Sequence, residues 1–275
     1  MREPDVLHLK RRDLDLHEYK NRAPAESDYT TLIRDSALIH DADTGELLIV
    51  YLVLDDDSTE IERVLPEIQY PEGARFNGVK SRSKVFGFQP RSLPRRDFCT
   101  AAALARENPE AHDIIARYAT RVSTYYEQYN PDRYHRHEHQ TRKVREQWRM
   151  EDSVFTSGII NFNNPLLYHF DAGNFADVWS NMLVFKRDIG GGYLATPEFD
   201  CAFHLPNNSL LMFDGQSLVH GVTPIALLSE DAYRYSIVYY SLKQMWSCLP
   251  LDDEIIRAQK RRLDRELRRL NGGAS

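Results

Sequence analysis

Two ionisable residues lie close together in an otherwise apolar stretch of the chain. In the segment YHFDAGN, residues 168–174, His169 and Asp171 are two positions apart. Successive side chains of a strand point to opposite faces, so these two would project together, about 7 Å apart along the backbone. A third candidate, His220, follows another apolar run in SLVHGVTPI. Two histidines and one carboxylate can form a facial triad that binds ferrous iron and leaves further coordination positions open.

A fourth residue strengthens the interpretation as a metal site. Such support is needed, because each histidine alone is more often a hydrogen-bonded core residue than a metal ligand. Arg234 lies in YRYSIVYY among aromatic and β-branched neighbours, where a buried guanidinium needs an anionic partner. Ser236, two positions on, would point to the same face, and the two side chains could hold a carboxylate by charge-assisted hydrogen bonds. An internal ion pair would explain Arg234 but not the whole set of four residues.

The combination of HxD, a distal histidine and Arg-x-Ser resembles the iron(II)/2-oxoglutarate dioxygenases. Within them, HFDAGN is similar to the HxDxxN of the TET/JBP group, which oxidises the 5-methyl group of pyrimidines in DNA. The resemblance covers residues 155–245 and implies a double-stranded β-helix, with Fe(II) as cofactor and 2-oxoglutarate and O2 as co-substrates. It also implies roles for five residues: His169, Asp171 and His220 as iron ligands, and Arg234 and Ser236 on the far carboxylate of 2-oxoglutarate.

The resemblance further implies two contacts to the substrate base. Asn174 would contact a flipped base, and Tyr240, six residues past Arg234, would stack on it. Animal members carry a base-contacting histidine where this chain has Leu242, which cannot hydrogen-bond a base. Recognition of cytosine must then come from elsewhere, or the target is thymine. An upstream arginine assists co-substrate binding in relatives, and the sequence leaves Arg82 and Arg91 as alternatives.

The elements that must position these residues follow from hydrophobic patterning. Apolar runs on both sides of Asp41 to Gly45 predict a hairpin, and helical spacing follows Ser58 and Pro109. From about Phe155 the chain changes to short β-rich runs, which indicate a sandwich or barrel. We therefore expect an α+β fold with a double-stranded β-helix (jelly-roll) core, a helix-rich N-terminal half and a C-terminal basic helix. The predicted divisions are residues 1–150, 151–248 and 249–275.

The composition limits the class of protein. The 275 residues are 42% hydrophobic, enough for a globular core, and no apolar run has the length of a signal peptide or a membrane span. The cysteines Cys99, Cys201 and Cys248 are odd in number and widely separated, so reduced thiols are expected. These features predict a reducing compartment, cytoplasmic or nucleoid-associated, and a protein that is not secreted. We also expect a monomer.

Local basic segments matter more for DNA binding than the net charge of −6. Residues 257–269 carry seven basic side chains against two acidic ones, and residues 90–96 and 142–149 are also basic. Each segment is either a solvated face or a phosphate contact. A second histidine cluster, His135 to His139, would share one helix face as a zinc pair does, but its basic neighbours favour a solvated or phosphate-facing helix.

The sequence thus predicts an iron(II)/2-oxoglutarate dioxygenase that acts on a 5-methylpyrimidine in DNA, with oxidation of 5-methylcytosine to 5-hydroxymethylcytosine slightly favoured over oxidation of thymine. One alternative is the same chemistry on a small molecule or a protein side chain. Another is a DNA-binding module without catalysis, although the presence of His169, Asp171, His220 and Arg234 together argues against it.

Overall fold

A computed structural model of the chain describes residues 3–74, 80–92 and 96–270. The described residues before residue 150 form seven strands and five α-helices. The strands are β1 Asp5–Leu9, β2 Thr31–Ile33, β3 Ala37–Asp41, β4 Leu47–Val53, β5 Glu72–Ala74, β6 Lys80–Gln89 and β7 Thr100–Ala101. The helices are α1 Leu16–Tyr19, α2 Thr59–Val64, α3 Leu104–Glu107, α4 Pro109–Tyr129 and α5 Pro131–Thr141.

The rest of the chain is mostly β-structure and ends in one long helix, α6 Leu251–Leu270. Its strands are short, as the Gly, Pro, Asn and Asp punctuation of the sequence predicts. They are β8 Ser157–Phe162, β9 Leu166–His169, β10 Ser180–Arg187, β11 Ile189–Gly191, β12 Leu194–Thr196, β13 Cys201–Phe203, β14 Ser209–Phe213, β15 His220–Val222, β16 Ile225–Leu227 and β17 Tyr233–Tyr240.

Two facing sheets form the core. The large sheet has the order β1-β3-β4-β14-β10-β17-β8-β6-β5, and β7 pairs with β6. The smaller sheet has the order β2-β13-β12-β15-β9. Buried side chains from both sheets meet between them, which gives the sandwich that the short β-rich runs predict; they include Ile49, Val184, Leu194, Phe203 and Leu211.

Helices cover the outer face of the large sheet. Helix α4 begins at Pro109 with Asn108 as its cap, and its apolar stripe packs on the sheet through Ile114, Ile115 and Val122. The predicted hairpin is β3–β4, and the helix expected after Ser58 is α2. The large sheet therefore has helices on one face and the smaller sheet on the other, which is the α+β layering predicted from the sequence.

The N-terminal strands are part of the core sheet. Strand β4 pairs with β14, and β6 pairs with β8, so both ends of the large sheet come from the first 90 residues. The division of the chain at residue 150 stays a prediction. Among the described residues, the helices include none with the length and apolar character needed to cross a lipid bilayer.

One expectation about the cysteines is wrong. Cys99 and Cys248 form a disulfide across a sequence separation of 149 residues, and only Cys201 is a free, buried thiol. The sequence does not show that these two cysteines are close, because only the fold brings residue 99, just before β7, next to the segment that leads into α6. The predicted reducing compartment rested partly on three reduced thiols and stays a prediction.

Candidate functional site

The three predicted iron ligands come together at one end of the smaller sheet. His169 is the last residue of β9 and His220 is the first of β15, and the two are directly paired between these strands. Asp171 lies two residues beyond the end of β9 rather than within the predicted strand. The Asp171 backbone N–H donates to the Gly215 carbonyl oxygen at 2.7 Å, which fixes the turn that brings the carboxylate back toward the histidines.

The side chains converge with a geometry suited to a metal ion. Asp171 Oδ1 lies 3.7 Å from His169 Nε2 and 3.8 Å from His220 Nε2, and the three ligand atoms all lie within 4.8 Å of one another. The Nδ1 atoms are 2.8 Å and 2.9 Å from the carbonyl oxygens of Leu167 and Leu218. A carbonyl can only accept, so each ring donates from Nδ1 and presents the lone pair of Nε2 toward Asp171.

This donor set fits ferrous iron. Two imidazole nitrogens and one carboxylate oxygen are the ligands of the facial triad of non-haem Fe(II) oxygenases. Their convergence from two paired strands and one turn leaves the opposite side facing a cavity, where co-substrates could complete the coordination.

The second oxygen of Asp171 has its own environment, which the sequence analysis missed. Ser180 Oγ donates to Asp171 Oδ2 at 3.1 Å. A Cβ atom at Gly215 would lie 2.2 Å from the same oxygen, so the absence of a side chain at Gly215 makes room for the carboxylate. The strand alternation of SNMLVFKR could have placed Ser180 on an inward face, but its contact with Asp171 depends on the fold.

Arg234 is fully buried and has no partner for its charge. Its Nε, Nη1 and Nη2 atoms have no hydrogen-bond acceptor among the described residues. Burial lowers the pKa of its guanidinium to about 10. An unpaired buried guanidinium is costly, so the internal ion pair weighed from the sequence is not what this structure shows. The position instead suits the carboxylate of a bound anion.

A second cation, Lys186, lies beside Arg234 and was also missed. It is the direct cross-strand partner of Arg234 between β10 and β17, and its Nζ donates to the His204 carbonyl oxygen at 2.9 Å. Burial, and then the charge of Arg234, lower the pKa of Lys186 to about 8. Each of these neighbouring cations disfavours the charged form of the other, and an anion bound next to both would relieve this repulsion. The pair therefore strengthens the case for an anion site at this point of β10 and β17.

One cavity of about 250 Å³ connects the triad with Ser236 and with the two predicted base contacts, whereas Arg234 does not line it. It is lined by His169, Asp171 and His220, by Ser236 on β17, and by Asn174, Tyr240 and Leu242. Arg234, Ser236 and Tyr240 lie on the same face of β17 because they alternate along it. Burial, and then the Asp171 carboxylate, raise the pKa of the Tyr240 hydroxyl.

The two upstream arginines do not line this cavity. The Arg82 side chain is exposed, whereas Arg91 Nη2 donates to Glu254 Oε1 at 2.5 Å, on the side of the disulfide. The structure therefore supports neither alternative for the arginine that assists co-substrate binding. Lys186 is the additional cation next to Arg234.

The second histidine cluster forms no comparable site. His135 and His139 face an open groove on α5, together with Arg136. Within residues 3–74, 80–92 and 96–270, two groups of side chains have ligand spacing: the triad, and Cys99, Cys248 and Glu254. The latter group offers a disulfide and a carboxylate that accepts the Cys99 and Leu249 backbone N–H groups, so it provides no thiolate.

The basic segments have mixed roles. Arg96 in the segment 90–96 donates to three oxygens of its own loop, and Arg95 lies outside the described residues. On α6, Arg257 and Arg261 pair with Asp97, and Arg262 pairs with Glu266. Four other cations of α6 have no ion pair among the described residues: Lys260, Arg265, Arg268 and Arg269.

Known proteins are similar to this chain in fold rather than in overall sequence. No curated protein matches the chain. Among solved structures, NgTET1 in complex with 5mC DNA is similar, with a TM-score of 0.60 and 15% identity over 84% of this chain and 87% of that one. A 2OG-Fe(II) oxygenase family oxidoreductase from Burkholderia pseudomallei has a TM-score of 0.47 and 13% identity, over 70% of this chain and 84% of the other.

The likeness to NgTET1 confirms the predicted fold class, since the two structures align over 84% of this chain with a TM-score of 0.60. The Tet/JBP model, described as the oxygenase domain of the 2OGFeDO superfamily, matches residues 83–243. The match is longer than the predicted resemblance and includes β6 and the helices α3 to α5. Because it spans more than half of the 275 residues, the chain belongs to the Tet/JBP family of 2-oxoglutarate and Fe(II) oxygenases.

Proposed function

We propose that this oxygenase oxidises the 5-methyl group of a pyrimidine base in DNA. The observation that carries the proposal is that the triad lines the same cavity as Asn174 and Tyr240. An aromatic ring and an amide next to a metal site are what an extruded base needs, because the ring can stack on it and the amide can bind its edge.

The site residues would have separate roles in binding the metal and the co-substrate. His169, Asp171 and His220 would hold Fe(II), and Arg234 with Ser236 would bind the far carboxylate of 2-oxoglutarate. When bound, Fe(II) and 2-oxoglutarate supply the O2-dependent oxidation, and the protein supplies orientation and shelter from water. The apolar part of the lining, which includes Met182, Leu194 and Phe213, would limit the access of water.

Substrate access requires that the base leave the DNA stack. Extrusion costs a few kcal/mol, which contacts to the flipped base must offset. Stacking on an aromatic side chain is worth about 1–3 kcal/mol in comparable complexes. Tyr240 lines the cavity at the end of β17, and Asn174 lies on the opposing segment, where it forms a β-bridge with Leu242. The two therefore lie on neighbouring walls.

The decisive experiment is nucleoside mass spectrometry after incubation of the protein with methylated and unmethylated DNA, Fe(II) and 2-oxoglutarate. We expect oxidised 5-methylpyrimidine from the methylated DNA and none from the His169→Ala or Asp171→Ala variants. Tyr240→Ala and Asn174→Ala should still bind 2-oxoglutarate but lose most of the DNA oxidation, about 10-fold or more for the tyrosine.

Two other results would assign a different function. If the wild-type protein consumed 2-oxoglutarate with a free metabolite or a peptide and left every methylated pyrimidine unchanged, the chain would be an oxygenase of a small molecule or a protein side chain. If it bound DNA but consumed no 2-oxoglutarate with any substrate, it would be a DNA-binding module without catalysis.

A further inference from the structure

A short chain of hydrogen bonds connects the iron-ligand carboxylate to the base-contacting amide. Asn174 Nδ2 lies 3.1 Å from Ser180 Oγ, and Ser180 Oγ lies 3.1 Å from Asp171 Oδ2. Asn174 and Ser180 are buried, with 6% and 3% of their surface exposed, and both line the cavity. The base-contacting residue is thus one hydroxyl group away from the metal site.

The direction of each hydrogen bond in this chain is fixed. An ionised carboxylate can only accept, so the single proton of the Ser180 hydroxyl must go to Asp171. The Ser180 oxygen can then only accept from Asn174, which requires the amide nitrogen, and not the amide oxygen, to face Ser180. Asn174 Oδ1 is left on the cavity side, without a hydrogen-bond donor among the described residues.

The segment that opposes Asn174 does not change which atom of the Asn174 amide faces the cavity. Leu242 forms a β-bridge with Asn174 and also lines the cavity, and its side chain neither donates nor accepts. The Asn174 amide oxygen is therefore the acceptor that the wall formed by these two residues presents, and the Leu242 side chain adds no polar group to it. A ligand group that contacts this wall gains most if it carries an N–H.

We propose that Ser180 is a positioning residue that holds Asn174 as an acceptor, so that the cavity selects pyrimidines with an amino group at C4. The inference rests on the proposed oxidation of a 5-methylpyrimidine. The methyl group at C5 must face the metal, and the C4 substituent is its neighbour on the ring. Asn174 is one hydroxyl away from the ligand Asp171, so its acceptor lies beside the metal site. Of the two ring neighbours of C5, C6 carries only a hydrogen atom, so C4 is the one whose substituent can form a hydrogen bond with that acceptor.

The two candidate bases differ at that position. 5-Methylcytosine carries an amino group at C4 that can donate to Asn174 Oδ1, whereas thymine carries a carbonyl oxygen that would face another acceptor. Rotation of the Asn174 amide would satisfy thymine, but its oxygen would then face Ser180, whose only proton is donated to Asp171. A buried acceptor left unpaired corresponds to a preference for 5-methylcytosine of about 10-fold to 100-fold.

The test compares two single-stranded oligonucleotides that differ in one base, 5-methylcytosine or thymine, so that the cost of breaking a base pair does not enter. The measured quantity is the ratio of the two kcat/KM values. We expect at least about 10-fold in favour of 5-methylcytosine for the wild-type protein. Ser180→Ala should bring the ratio close to one, because the Asn174 amide can then rotate, and Ser180→Thr should restore it.

A binding measurement separates selectivity from metal loading. With Mn(II) and N-oxalylglycine in place of Fe(II) and 2-oxoglutarate, the wild type should bind the 5-methylcytosine oligonucleotide more tightly, and Ser180→Ala should bind both equally. Asn174→Asp provides a second variant if Ser180→Ala does not fold. Its carboxylate presents acceptors in either orientation, so its preference for 5-methylcytosine should be kept.

Three results would overturn the inference. The first is a wild-type protein that oxidises both bases at equal rates, which leaves the proposed function intact. The second is a Ser180→Ala variant with the full wild-type ratio, and the third is an Asn174→Asp variant that prefers thymine. Oxidation of neither oligonucleotide by the wild-type protein would overturn the proposed function itself, and the inference with it.

Discussion

At the scale of single residues, Arg234 offers the clearest test of co-substrate binding. Its three guanidinium nitrogens have no partner in the described structure, so the charge is costly until an anion binds. We predict that Arg234→Met weakens 2-oxoglutarate binding by at least about 10-fold, since each charge-assisted hydrogen bond is worth roughly 1.5–3 kcal/mol. The same change should not lower the melting temperature of the protein without co-substrate, because it removes an unpaired buried charge.

The two measurements together distinguish a ligand-binding arginine from a structural one. Isothermal titration with 2-oxoglutarate in the presence of Mn(II) gives the affinity, and thermal unfolding gives the stability. Arg187→Gln is the matched control, since Arg187 is an exposed arginine on the adjacent strand β10. A structural role for Arg234 would instead give a large loss of stability with an unchanged affinity for 2-oxoglutarate.

A glycine next to the triad tests the position of the ligand carboxylate. A Cβ atom at Gly215 would lie 2.2 Å from Asp171 Oδ2 and 2.8 Å from Asp171 Cγ, so Gly215→Ala must displace the carboxylate. We predict that Fe(II) affinity falls about 10-fold to 100-fold, the range found when partners of metal ligands are changed. Anaerobic Fe(II) titration measures this affinity.

The control for this substitution is Gly73→Ala, where a Cβ would meet no atom within 4 Å. That variant should keep the wild-type affinity for Fe(II). An unchanged affinity in Gly215→Ala would mean that Asp171 can move aside without cost, and so that its position in the structure is not the one used for the metal.

The residues that sequence analysis identified are those whose chemistry is visible in local patterns. HxD, the distal His220 and a charged Arg234 within an apolar strand are each recognisable in the sequence, and it is their combination that is unusual. Ser180 and Lys186 are ordinary in their local sequence and gain their roles through sheet pairing, which sets Lys186 opposite Arg234. A single sequence does not specify which strands pair, so these partners could not be predicted.

At the scale of elements, helix α5 is attached to the site by a buried histidine. His137 lies between the rings of Tyr126, Phe155 and Phe175, and its Nε2 is 2.8 Å from Ser241 Oγ. Burial lowers the pKa of His137 from 6.5 to about 3. The contact fixes α5 next to the segment that pairs with Asn174.

This shifted pKa predicts how stability depends on pH. The unfolded chain takes up a proton at His137 near pH 6.5, whereas the folded protein does so only near pH 3. The contribution of His137 to the free energy of unfolding is therefore fully present above pH 6.5. It decreases as the pH falls toward 3, by up to roughly 1.4 kcal/mol per pH unit. Denaturant unfolding from pH 7 to pH 4 should show a shallower slope for His137→Gln than for the wild type.

The exposed His135 on the same helix provides the comparison, since its side chain is 60% exposed. His135→Gln should keep the wild-type pH dependence. If His137→Gln showed the same slope as the wild type, acid sensitivity would have to come from other groups.

The predicted basic helix is present as α6, but fewer of its cations are available for contacts with DNA phosphates than the sequence suggested. Arg257 and Arg261 pair with Asp97, and the helix start is held by Glu254. Burial opposes the ionisation of Glu254, but hydrogen bonds from the Leu249 and Cys99 N–H groups and from Arg91 outweigh it, and the pKa of Glu254 is lowered. Truncation of the whole helix would remove this buried carboxylate as well as the charges.

Substitution of the unpaired cations is therefore the better test of a phosphate contact. We predict that replacing Lys260, Arg265, Arg268 and Arg269 by glutamine weakens DNA binding equally across sequences. The slope of log K against log salt should also become shallower, by roughly 0.9 for each cation that contacts a phosphate of duplex DNA. Arg117→Gln, an exposed arginine paired with Glu60 on the helical face, is the control. An unchanged salt slope would mean that α6 is only a solvated helix.

At the scale of the whole molecule, the catalytic sheet is assembled from distant parts of the chain. Strands β3, β4 and β6 come from the first 90 residues and pair with each other or with strands after residue 150. The sequence analysis predicted the β3–β4 hairpin because its turn is local. It did not predict the pairing of β4 with β14, because hydrophobic alternation indicates a strand but not its neighbour.

The disulfide is the strongest long-range constraint on this assembly. Cys99 precedes β7, and Cys248 precedes α6, so the bond closes a loop that contains almost the entire region matched by the family model. In the chain-entropy model a loop of this size would stabilise the folded protein by roughly 5 kcal/mol. Cys201 does not compete for either partner, since it is buried and its thiol pKa is raised by burial to about 12.

We therefore predict that the purified, non-reduced protein contains one titratable thiol after denaturation, and three after reduction. Reduction should lower the melting temperature, and the double variant Cys99→Ser, Cys248→Ser should melt at this lower temperature with or without reductant. Cys201→Ser should keep the response to reductant, because it leaves the disulfide intact. Three thiols in the non-reduced protein would contradict the bond, and the contact between the start of α6 and Cys99 would then rest on the hydrogen bonds of Glu254 alone.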